Sequence, residues 1–188
     1  MLRLAREADD FVLFYNGPKC GASAPDHAHF QAGNKGFLPL CDVVASCHRT
    51  PVITQGSARL SLVEEYICPF FLIEATGADD ARALFDKLYQ TLEVKPDETE
   101  PMMNVLAWYD TDRWSVAIFP RAQHRPSCYF AEGDDNILLS PASVDMGGVF
   151  ITPLEKDFEK ITANDLAQIL AEVCLDREKM NQIAQKLK

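Results

Sequence analysis

The sequence predicts an α+β protein in which helices pack on an antiparallel sheet. Three observations predict it. Between residues 70 and 120 a strand, a helix and two further strands follow one another. The last two, over 102–110 and 113–120, are joined by Asp110-Thr111-Asp112, the polar turn of a hairpin, so they run antiparallel as neighbours. Beyond residue 153 the apolar residues recur at helical spacing instead of alternating.

Each element has its own signal. Residues 1–8 have helical composition, with Leu2, Leu4 and Ala5 on the apolar side. Residues 11–15 form a short apolar, aromatic run that reads as a buried strand, ended by Asn16-Gly17-Pro18. A loop of small residues covers 19–25, and a second strand is expected over 27–32, turned by 33–36. Weaker strands are expected over 37–46 and 57–66, joined by a loop around Arg49-Thr50-Pro51 in which His48 and Arg49 are solvated. The strand over 70–75 ends at Gly77. Asp79 or Asp80 can cap the following helix, which runs to about Gln90 with Ala81, Leu84, Phe85 and Leu88 on one face. Residues 95–101 form a charged loop. After the hairpin come a turn at Asp134-Asp135-Asn136, a short helix opened by Ser140-Pro141, a strand over 146–152 and a short helix over 153–158. A helix over 165–173, capped by Thr162 or Asn164, turns Leu166, Ile169, Leu170 and Val173 inward. An amphipathic helix over 180–187 follows. The run 11–15 is expected to leave an open sheet edge, which invites a homo-oligomer.

The 188 residues suit one domain or two small halves. An apolar fraction of 47% and a charged fraction of 24% are those of an ordinary globular protein. The net charge of −10 argues against a nucleic-acid surface, which needs a basic stripe. It leaves room for a small anion held by a local cluster of donors. No apolar run is long enough for a membrane helix, and residues 1–8 do not read as a signal peptide. The expectations are a cytoplasmic protein with no membrane and no nucleic-acid partner. The six cysteines form no CxxC and read as reduced thiols. Cys41, Cys47 and His48 fit no common closed zinc site.

The chemistry concentrates at Asp26-His27-Ala28-His29-Phe30-Gln31. In a strand His27, His29 and Gln31 share one face at roughly 6–7 Å spacing, while Ala28 and Phe30 turn into the core. A neutral imidazole is a good nucleophile near pH 7 and can hold a transferred phosphoryl group covalently. That assigns His29 as nucleophile, Gln31 as donor to a phosphate oxygen, and His27 as the orienting or phosphate-contacting partner. No metal or other cofactor is required for the step. Upstream, Asn16, Lys19, Gly21 and Ser23 form a lead-in suited to phosphate or nucleotide. Downstream, Arg121, His124 and Arg125 place three potential cations past a strand end.

The HxHxQ pattern resembles the branch of the histidine triad superfamily that holds galactose-1-phosphate uridylyltransferase, diadenosine tetraphosphate phosphorylase and the GDP-hexose phosphorylases. The run HFQA is most similar to the last of these, and the upstream NGP…GAS resembles the glycine-rich lead-in of the phosphorylases. Pro25-Asp26-His27 has one residue more than the usual Pro-His. Residues 119–129 and 140–153 resemble an uncharacterised bacterial branch. The resemblance implies a histidine-triad-like sheet with one complete half over 67–188, C-terminal helices included. Residues 1–66 would then carry the HxHxQ strands and close a first half whose earlier part is missing. It implies a nucleotidyltransferase or phosphorylase acting on a nucleoside diphosphate sugar or dinucleoside polyphosphate. The intermediate would be a nucleotidyl-His29, and phosphate or a sugar phosphate the acceptor. Two other readings stand beside it: a non-catalytic nucleotide- or phosphate-binding domain with a vestigial site, and a metal-binding domain using His27, His29 and a cysteine such as Cys20.

Overall fold

The structure is a computed structural model describing residues 1–188. In chain order the elements are α1 (Leu2–Glu7), β1 (Phe11–Asn16), β2 (Gln31–Asn34), α2 (Pro39–Val43), β3 (Arg49–Gln55), β4 (Ala58–Val63), β5 (Phe70–Ala75) and α3 (Ala78–Thr91). They continue with β6 (Met103–Asp110), β7 (Arg113–Pro120), α4 (Ser143–Met146), α5 (Glu155–Lys160), α6 (Ala163–Val173) and α7 (Arg177–Lys186). The strands form one seven-stranded sheet in the order β2-β1-β6-β7-β5-β4-β3. Every neighbouring pair is antiparallel. The α+β class with helices packed on an antiparallel sheet is therefore what the chain adopts.

The sheet carries a core on each face, and the period of two along the central strands separates them. Met103, Val105 and Ala107 of β6 and Val116 and Ile118 of β7 join one core, together with Leu84 and Leu88 of α3 and Met180 and Ile183 of α7. Leu106 and Trp108 of β6 and Ala117 and Phe119 of β7 face the other, with Leu40 of α2, Met146 of α4 and Leu170 and Val173 of α6. The rings of Phe70 and Phe119 stack there at 4.7 Å between centroids. Because both faces are covered, β6 reads as a continuous buried run, with Asn104 its polar interruption.

Several expectations are corrected. Residues 27–30 are not strand: β2 begins at Gln31, because the β1–β2 ladder ends at the pair Phe14↔Gln31. Its residues are mostly exposed, and Phe30 is 48% exposed instead of buried. Within 37–46 the chain forms the short helix α2, started by Pro39 at its first turn, where the missing N–H costs nothing. The loop expected at Arg49-Thr50-Pro51 is the beginning of β3, an edge strand with a register shift between Pro51 and Ile53, where a proline is tolerated. Arg49 is not simply solvated, since its Nη1 donates to the Glu74 carboxylate at 2.7 Å. No strand forms over 146–152. Gly77, not Asp79 or Asp80, is the N-cap of α3, and the Asp80 carboxylate instead accepts from the Ser57 N–H at 2.7 Å. Finally, β1 is no open edge: β2 covers one side and β6 the other, so the sheet ends at β2 and β3. No helix is long and apolar enough to cross a membrane.

Candidate nucleotidyl-transfer site

The site is built where β1 runs out. Asn16 is its last residue and sits opposite Asn104 of β6. From there the chain leaves the sheet, tied down by the Gly17 N–H donating to the Met103 carbonyl at 3.1 Å and the Cys20 N–H donating to the Gly17 carbonyl at 2.8 Å. Gly21 has φ +83°, and a Cβ there would lie 2.6 Å from the Ala142 Cβ, so only glycine fits beside α4. The segment then carries the two histidines back to β2.

The histidine rings sit close together, 5.2 Å between centroids. His27 Nδ1 lies 3.1 Å from a carboxylate oxygen of Asp26. His29 Nδ1 lies 3.2 Å from the backbone carbonyl of His27. A carbonyl only accepts, so this contact places the ring proton of His29 on Nδ1 and leaves Nε2 with its lone pair. His27 is exposed and His29 partly so. The alternation expected of a strand survives in part without the strand. Ala28 and Phe30 border a cavity of about 590 Å³, together with Tyr15, Phe85, Tyr89 and Met103. Tyr15 donates its hydroxyl to Glu100 at 2.7 Å. Burial first, then Glu100, holds its pKa above the usual phenol value.

Gln31 is reached from the other side. Its Oε1 accepts from Asn16 Nδ2 at 3.2 Å. Asn16 Oδ1 accepts from Asn104 Nδ2 at 2.7 Å and from the Ser143 N–H at 2.8 Å. The Ser143 hydroxyl lies 2.7 Å from that same oxygen and 2.8 Å from the Tyr15 carbonyl. Asn104 Nδ2 also donates to the Cys20 carbonyl at 2.8 Å.

Of the remaining expected site residues, Arg121 is the most changed by the fold. It is 3% exposed. Its Nε donates to Val173 O, Nη1 to Asn104 Oδ1 at 2.6 Å and to Pro141 O, and Nη2 to Gln123 O and His124 O. All the N–H groups of the guanidinium are thereby engaged by protein oxygens, and none is left for a phosphate. Arg125 donates to the Ser140 hydroxyl and stacks over the Tyr129 ring at 4.2 Å. His124 is half-buried, and burial first, then Arg125 and Arg121, holds its pKa below the usual imidazole value. Lys19 is paired with Glu98, and Ser23 is exposed. Asn16, Gln31 and Arg121 are thus brought into one connected network, whereas no hydrogen bond joins His27 or His29 to His124 or Arg125. Asn104 and Ser143 were not expected. A single carboxamide inside the apolar run MMNVLAW is the signal that marks Asn104, and nothing local marks Ser143.

No group of three His, Cys, Asp or Glu side chains is arranged to hold a metal ion. Cys20, the cysteine nearest the histidines in sequence, is fully buried, and burial pushes its thiol pKa up to about 12. A thiol held that high resists the deprotonation that metal ligation requires.

Comparison with known proteins adds the following. Residues 1–34 match the model of a domain of unknown function, DUF4922. The histidine segment falls in this part. A crystal structure of a DUF4931 family protein from Bacillus cereus is similar at 17% identity with a TM-score of 0.46, covering 91% of this chain and 74% of that one. No curated protein matches the chain. Residues 43–188, more than half of the chain, match the model described as GDPGP1-like, C-terminal domain. The chain therefore belongs to the GDPGP1-like C-terminal domain family, a relationship of nucleotide-sugar phosphorylase type.

Proposed function

We propose that the protein is a phosphorylase of nucleoside diphosphate sugars working through a nucleotidyl-histidine at His29. The observation that carries the reading is the His27 carbonyl beside His29 Nδ1, which leaves Nε2 of His29 as a free nucleophile on an accessible segment. The Nε2 lone pair attacks the phosphorus next to the nucleoside. The bond from that phosphorus to the bridging oxygen breaks, and its electron pair leaves with the sugar 1-phosphate. An oxygen of inorganic phosphate then attacks the same phosphorus, the P–N bond breaks, and its electron pair returns to Nε2. The products are a nucleoside diphosphate and free enzyme. Gln31 Nε2 donates to a non-bridging oxygen as charge builds on it. His27, paired with Asp26, flanks the phosphate chain. The aromatic walls of the cavity bordered by Phe30 suit a nucleobase, which supports a nucleotide over a simple phosphate ester.

The test is direct. Purified protein is incubated with nucleoside diphosphate hexoses and with dinucleoside polyphosphates, and the intact mass is read before and after acid. An acid-labile gain of one nucleotidyl group is expected, absent in His29→Ala, whose turnover drops by at least about 10³-fold. Full activity in His29→Ala would end the proposal. Nucleotide binding with no adduct would leave a binding domain in its place.

A further inference from the structure

We infer that Asn16, anchored by the Ser143 N–H and by Arg121 through Asn104, is a positioning residue. It fixes which end of the Gln31 carboxamide faces the substrate. The inference rests on the nucleotidyl-transfer reading for its consequence in catalysis, but its structural content stands apart from that reading. Donors and acceptors decide the arrangement. A carboxamide can turn over at almost no steric cost, exchanging its oxygen for its NH2, so something must decide between the two. At the buried end Arg121 has only N–H groups. The atom of Asn104 lying 2.6 Å from Nη1 must therefore be its oxygen. The Asn104 NH2 then faces Asn16 and the Cys20 carbonyl, and the carbonyl can only accept. The Asn16 atom receiving Asn104 is thereby an oxygen. The backbone N–H of Ser143, another donor without choice, demands the same of it at 2.8 Å. Asn16 must turn its NH2 toward Gln31, and Gln31 must answer with Oε1 at 3.2 Å. What Gln31 presents outward is its Nε2, with two N–H groups to give.

Two donor-only anchors, one at each of the first two amides, thus leave a single consistent arrangement. No Asp or Glu forms an ion pair with Arg121, so its charge is spread into this chain of amides and the surrounding carbonyls. Each amide in turn is polarised in the direction that strengthens donation at the Gln31 end. An unanchored glutamine on an exposed strand would offer a phosphate oxygen its own carbonyl about as readily as its NH2. The chain of amides removes the unproductive half of that choice before substrate arrives, which is preorganisation of a donor for developing negative charge.

The variant that tests this is Asn16→Asp. One carboxylate oxygen still accepts from Asn104 and Ser143, while the other faces Gln31. The Gln31 carboxamide must then turn its NH2 inward and its oxygen outward. The expected result is a fall in kcat of about 10²-fold with KM little changed. A new negative charge near the phosphates could also slow the reaction, so the same change is made in Gln31→Ala. If orientation is the cause, Asn16→Asp costs little once Gln31 is gone. If charge alone is the cause, the cost is the same in both backgrounds, and the inference is overturned. A second measurement needs neither activity nor a stable variant. In the nitrogen-15 side-chain amide spectrum of the wild-type protein, the Asn104 NH2 is expected to exchange slowly with water and the Gln31 NH2 to exchange like a free carboxamide. Protection of the Gln31 NH2 in the wild type would overturn the inference. Failure to form any nucleotidyl adduct in the wild type, with the expected amide spectrum, would overturn the proposed reaction and leave the positioning role intact.

Discussion

Arg121 shows how far burial can change what a residue is for. In the sequence it stands in RAQHRPSCY, a basic turn of the sort that meets phosphate. In the fold it is a buried cation with every donor engaged and no acidic partner in contact. Desolvating a guanidinium is costly, and the hydrogen bonds to Val173, Pro141, Gln123, His124 and Asn104 are what offset the cost. Arg121→Met should therefore destabilise the protein by about 3–5 kcal/mol, because it leaves buried acceptors without donors. The measurement is the urea midpoint, with the slope of the transition unchanged. Arg121→Lys should recover only part of the loss, since an ammonium cannot reproduce the planar fork. A midpoint unmoved in Arg121→Met would mean the guanidinium is replaceable by water. The role was illegible in the sequence because its partners lie elsewhere along the chain: the carbonyls of Pro141 and Val173 reach it from the lead into α4 and from the end of α6.

At the scale of elements, a contact between α3 and the β3–β4 turn gives a prediction in pH. The Asp80 carboxylate accepts from the Ser57 N–H at 2.7 Å, and this contact, above all, lowers its pKa below the usual carboxylate value. The unfolded chain keeps the ordinary value of 3.8. The folded state thus binds this proton less readily than the unfolded state. The stabilisation is fully present above 3.8 and is lost as pH falls through the lowered folded value. Asp80→Asn should lower the thermal midpoint at neutral pH and converge on the wild type as pH falls through that window, so the acid limb of its stability curve is flatter. An unchanged acid limb would show that the contact does not persist in solution. The same turn shows what a sequence can and cannot reveal. Elements with a long, clean period were legible: β5, α3, β6, β7 and α6 lie within a residue or two of expectation. The histidine segment was not. Its alternation is real, since Ala28 and Phe30 do border a cavity, yet the β1–β2 ladder ends at Phe14↔Gln31, and only Tyr15 and Asn16, the latter drawn into the amide network, extend β1 beyond it. Over 37–46 an apolar stretch with no strict period read as a strand, and Pro39 decided for a helical turn.

The whole molecule is a sheet between two cores, and the candidate site sits at the end of β1, bordering a cavity on the α3 face. That face depends on α7, which follows the helices of the opposite side and packs against β4. Met180, Ile183 and Leu187 are buried there, between 0% and 8% exposed. Burial of such side chains stabilises by about 1.5–3 kcal/mol each. Together they contribute on the order of 5–9 kcal/mol, against a total that for a domain is about 5–15 kcal/mol. Removing residues 177–188 should therefore abolish the cooperative thermal transition and raise binding of a hydrophobic dye. A gentler test keeps the fold: Ile183→Ala should cost about 2–4 kcal/mol and lower the melting temperature by roughly 5–15 °C. The two cores are separated by the sheet, so Ile183→Ala should leave the amide network on the opposite face untouched. Nucleotidyl transfer at a temperature below the new transition should then keep its wild-type kcat, with any loss confined to KM through the cavity that shares the α3 face. A shortened chain that still melts cooperatively would show that the β4 face needs no cover. A fall in kcat in a folded Ile183→Ala would show instead that the α3 face is coupled through the sheet to the amide network.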